Sequence, residues 1–82
     1  MPYIPVTART LARSSPLTEG ELNFALTMTA LTWLDQQGGM SYTNASRVVA
    51  AFECAKLEFV RRMLAIYEDR KAAEHGEVYP PI

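Results

Sequence analysis

From Asn23 to Leu34 the chain reads "NFALTMTALTWL", twelve residues without one charge. On a helical wheel at about 100° per residue, Leu22, Leu26 and Trp33 fall on one face and Phe24, Met28 and Leu31 on the opposite one. Neither face is polar, and a helix that is apolar all round has to be covered on every side. The chain has 82 residues to do this with, a length at which roughly 60–65% of the unfolded surface is buried on folding. The start of the helix is well marked: Thr18 stands as N-cap, Glu21 three residues later completes a capping box, and Leu17 and Leu22 are placed as a hydrophobic staple. Gly38 and Gly39 stop it, which gives a first helix over residues 18–37. The threonines and the shortness of the uncharged run exclude a bilayer span.

Ser41 or Thr43 caps the next helix, whose pattern runs over residues 43–75 until Gly76. At 1.5 Å per residue it is about 45 Å long. Val48, Phe52, Ala55, Phe59, Met63 and Ile66 form one stripe at alternating spacings of three and four, and Val49, Leu57, Val60, Leu64 and Tyr67 form a second beside it. Together they span roughly 200° of the wheel. Two helices in a hairpin cannot bury both faces of the first and both stripes of the second, so the missing cover has to come from other copies. The expected architecture is all-α: a single domain, residues 1–82, folded as a hairpin of a short and a long helix that assembles as an oligomeric helical bundle. An arm over residues 1–16 and a tail over residues 76–82 are expected to be extended, since X-Pro steps at both ends disfavour helix, although residues 6–13 leave room for a helical turn or two.

Two charges, Glu53 and Lys56, lie inside the apolar arc and are spaced to meet. One reading makes them a polar pair that fixes the register of the assembled helices. The other places Lys56 in an inter-subunit pocket against a small anionic, nucleotide-like ligand, with Glu53, Asn23, Tyr42, Arg61, Arg62 and Tyr67 as further candidate site residues. Arg61 and Arg62 also fit a solvated face opposite Glu58, and His75 fits the C-terminal end of a helix dipole. Nothing sets Ser, His and an acid as a triad, Cys54 has no base near it in sequence, and Gly38-Gly39 has neither the strand before it nor the lysine after it of a phosphate loop. No catalytic residue is expected, and the chain is read as non-enzymatic. One cysteine with one histidine builds neither a disulfide framework nor a zinc site, so no metal or cofactor is expected. A net charge of -1 argues against general nucleic-acid binding, although residues 1–18 hold Arg9 and Arg13 with no acid. No signal peptide is visible at the start, and a cytoplasmic setting is expected, with no membrane partner.

The blocks "MPYI", "GELNF", "SYT", "ECAKLEF" with "RR" one residue on, "YED" and "GEVY" resemble a family of small uncharacterised proteins of bacteria and tailed phages. The likeness covers Gly20 to Tyr79 and the first four residues. In relatives it implies a longer, more basic segment between "MPYI" and "GELN", and Asn and Asp where this chain has His75 and Glu77. It implies no established chemistry. Small, oligomeric, all-helical phage proteins are similar in general character to anti-defence sponges, which sequester nucleotide-derived immune signals between subunits. A sponge is therefore the first functional expectation. The alternative is a protein-interaction or virion-related structural module in which the same charges only specify assembly.

Overall fold

A computed structural model describes residues 2–81 and divides the chain into two units, Met1–Val48 and Val49–Ile82. Among the described residues all regular structure is helical. A 3-10 turn at Val6–Ala8 leads into helix α1 (Arg9–Ser14), followed by α2 (Glu19–Gln36), α3 (Tyr42–Phe59), a π-helical turn at Val60–Leu64 and α4 (Ala65–His75). None of these helices is long and apolar enough to cross a membrane.

In the first unit α2 begins and ends as its sequence dictates. Thr18 Oγ1 accepts the Glu21 N–H at 3.1 Å, while Glu21 Oε1 reaches one residue further back than a standard capping box and accepts the Leu17 N–H at 3.2 Å. At the other end Gly38 and Gly39 take φ of 94° and 104°, the Gly39 N–H donates to Leu34 O, and the Gly38 N–H donates to Asp35 O. These two bonds close a Schellman motif, which requires the left-handed conformation that glycine adopts without strain. Ser41, rather than Thr43, caps α3, its Oγ accepting the Asn44 N–H at 3.0 Å. The Asn44 amide then donates back to Gln37 O and Gly39 O, and the Arg47 guanidinium lies 5.7 Å from the centre of the Trp33 ring. These contacts tie the first turns of α3 to the end of α2.

The charge-free stretch stays apolar partly because its hydroxyls are used internally. Thr27 Oγ1 donates to Asn23 O at 2.8 Å and Thr29 Oγ1 to Ala25 O at 2.9 Å, so both hydroxyl protons are used within the helix.

The expected extended arm over residues 1–16 is corrected here. Met1 lies outside the described residues, and Val6 to Ser14 is helical and packs on α2. Ala12 is fully buried, and Phe24 of α2 nearly so. Arg9 reinforces the contact: its Nε donates to Ile4 O, and its guanidinium stands 5.7 Å from the centre of the Phe24 ring. The X-Pro steps constrain only the backbone up to Pro5, whose carbonyl accepts the Ala8 N–H as the helical segment begins. The small Ala12 is what allows a short helix to approach α2 closely.

The second unit carries the rest of α3, the π turn, α4 and the tail after Gly76. The long helix expected over residues 43–75 is continuous from Tyr42 to His75, but it is not α-helical throughout: the Ala65 N–H donates five residues back to Val60 O. Among the described residues every large apolar side chain of this unit remains exposed, from Val60 at 39% to Val49 at 66% along the helix and higher still at Val78 and Tyr79 in the tail.

Candidate functional site

Glu53 and Lys56 lie one turn apart on the last two turns of α3, and their side chains meet at 3.3 Å. Their spacing of three residues makes this the natural pair on a helix surface. Within the chain they are not buried: the Lys56 side chain is 65% exposed and that of Glu53 55%. The apolar residues flanking them stand exposed as well. One turn on, Glu58 accepts from both arginines. Arg61 Nη2 reaches its two carboxylate oxygens at 3.1 and 3.3 Å, and Arg62 Nε reaches Oε1 at 3.1 Å. Both arginines sit in the π turn, whose backbone sets them after Val60.

Tyr67, on the first turn of α4, is exposed, and the Lys71 ammonium lies 5.4 Å from its ring centre. Asn23 and Tyr42 belong to the first unit. Asn23 is exposed and engaged with Thr27, and Tyr42 at the start of α3 stands almost fully in the open. The five candidates of the second unit thus form a surface band over about four helical turns, in which Lys56 pairs with Glu53 while Arg61 and Arg62 share the one carboxylate of Glu58. Such exposed pairs are worth a few tenths of a kcal/mol each. Cys54 is a free, exposed thiol, and no group of three or more metal-ligating side chains occurs among the described residues.

One feature went unread in the sequence. The first unit carries a groove of about 360 Å³ whose lining includes Arg13 of α1 and Met28, Thr32, Trp33 and Gln36 of α2. Its only sequence signal is the pair of arginines without an acid in the leading segment. It became a groove because α1 packs on α2 instead of hanging free.

The family described as Domain of unknown function (DUF6899) matches residues 1–78. The chain belongs to that family. The match takes in all seven candidate residues and the whole helical part of the chain, including the π turn. No curated protein and no solved structure matches the chain.

Proposed function

We propose that this member of the DUF6899 family is a non-enzymatic, self-assembling helical protein that completes its core only in an oligomeric bundle of identical copies. The observation that carries the reading is the distribution of burial. Among the described residues Ala12 and Phe24 are the buried apolar side chains, whereas Phe52, Leu57, Phe59, Met63, Leu64, Ile66 and Tyr67 all stand exposed on one continuous helix. Apolar surface of this extent, on the order of 1,000 Å² for α3 to α4, is about the 800 Å² that each partner gives to a standard interface. A monomeric soluble protein seldom leaves such a patch open. The Glu53–Lys56 pair and the Glu58 pairs then border the interface, where charges set partner orientation more than affinity.

Light scattering coupled to size separation tests the reading. A mass of two or more chains at micromolar concentration is expected, and a well-folded monomer would sink the idea.

A second reading keeps a ligand. Arg61 and Arg62 share the single carboxylate of Glu58, which leaves one positive charge in excess and guanidinium donors unused, with the Tyr67 ring one turn further on. A phosphate-bearing nucleotide between subunits suits that chemistry, in keeping with a sponge for a nucleotide-derived signal. Calorimetry against cyclic dinucleotides and ADP-ribose derivatives tests it, with Lys56→Met and Arg62→Met as controls. Absence of heat with the whole panel removes this reading and leaves the assembly protein.

A further inference from the structure

The π turn changes which residues share a face, and with it the composition of the assembly seam. In a uniform α-helix at about 100° per residue, the stripe of Phe52, Ala55 and Phe59 continues through Met63 and Ile66. A single π turn takes up one more residue than an α turn while the axis advances by nearly the same amount. Residues beyond Leu64 therefore lag the uniform wheel by about one residue, or 100°. With the i to i+5 bond from Ala65 to Val60 in place, the line of Phe52, Ala55 and Phe59 runs on through Leu64 and Tyr67. Ile66 swings away to the side that carries Cys54 and Glu58. The second stripe is cut short as well, because Glu68 now lies beyond Val49 and Val60.

Resting on the assembly reading, we propose that the π turn at Val60–Leu64 splices two half-stripes into one seam, Phe52, Ala55, Phe59, Leu64 and Tyr67, and that its occupant is the same seam of a second copy. Three observations agree with that occupant. The seam together with the exposed apolar residues beside it, Val49, Val60 and Met63, offers an area on the order of one partner's share of a stable interface. The seam is bordered by charges that already hold ion-pair contacts within the chain, Lys56 with Glu53 and both arginines with Glu58, so two copies meet without breaking a pair and with at most one excess positive charge per chain at the rim. The seam also ends where polar residues take over, since the positions that follow Tyr67 on the same line are Lys71 and Glu74, themselves joined at 3.4 Å. An apolar line closed off by its own ion pairs fits a helix of equal length and like character.

The test compares two adjacent substitutions in the full chain, Tyr67→Asp and Ile66→Asp, by light scattering with size separation, with circular dichroism to confirm that helix is retained. On a uniform wheel Ile66 belongs to the main stripe and Tyr67 to its neighbour; with the π turn Tyr67 is on the seam and Ile66 is off it. Tyr67→Asp is expected to reduce the assembly to monomer at concentrations where the unsubstituted chain and Ile66→Asp keep their full mass. Dissociation of Ile66→Asp, or survival of the assembly in Tyr67→Asp, overturns the proposed seam while leaving self-assembly standing. A monomeric unsubstituted chain overturns the assembly reading itself and assigns the apolar face to a partner of different sequence.

Discussion

Thr18 holds the start of α2 through an oxygen that accepts the Glu21 N–H, and Glu21 answers by taking the Leu17 N–H and the Thr18 hydroxyl. Replacing it with alanine strands the Glu21 N–H at the helix end. Thr18→Ala is expected to lower stability by about 1 kcal/mol, read as a lower Tm by circular dichroism, with Thr18→Ser close to the parent because serine caps as well. The Glu53–Lys56 pair is a different kind of polar contact. The two side chains meet at 3.3 Å, but both groups face water in the chain, where the pair contributes only a few tenths of a kcal/mol. Its larger effect is on what α3 presents outward, because Lys56 stands beside Phe52 and Val49 on the wheel. The double change Glu53→Leu with Lys56→Met adds apolar surface and leaves no lone charge. It is expected to tighten assembly, seen as a mass that persists at lower protein concentration, whereas Lys56→Met alone leaves Glu53 without its partner and weakens it.

Element by element, the helix ends were legible because capping is local chemistry: Thr18 with Glu21, Ser41 and the Gly38-Gly39 stop act within a few residues of where they stand. The pairing of Lys56 with Glu53, and of both arginines with Glu58, was legible for the same reason. Two features were not. The helix at Arg9–Ser14 exists through its contact with α2, where Ala12 is buried, and no capping side chain or acidic first turn marks it locally. The π turn is hidden because "VRRML" consists of residues that suit an α-helix, so a wheel drawn at constant pitch ran straight through it. Exposure of Glu53 and Lys56 was equally hidden, since burial depends on what packs against a face and spacing reports only the face. The π turn gives its own prediction. Deleting Arg61 removes the extra residue, so the turn closes as α-helix while everything after it keeps its present phase. Helix content and Tm are expected to rise with the assembly mass per chain number unchanged, and loss of assembly in a fully helical deletion protein would count against the phase argument.

For the molecule as a whole, folding is a small difference between burial and the conformational entropy of ordering, about 1–2 kcal/mol per residue for the backbone alone. A chain whose described apolar side chains are mostly open, with Ala12 and Phe24 as its buried pair, has little on the burial side to offset that cost. The 18-residue α2, charge-free from Asn23 to Leu34, and the exposed seam of α3 and α4 make the same point from two directions. On the proposed assembly, stability comes from association, which follows mass action: binding of folded chains to one another pulls the folding equilibrium with it. The consequence is a Tm that depends on protein concentration. Thermal melts at concentrations about 100-fold apart are expected to differ by several degrees, the more concentrated sample being the more stable. Phe59→Asp, which places an unpaired charge in the middle of the seam, is expected to erase this dependence and to melt low at every concentration. A Tm that stays constant across the range, with the cooperative unfolding of a single chain, would mean that one chain is stable by itself, and the exposed seam would then have to be explained by a partner that is not a copy of this chain.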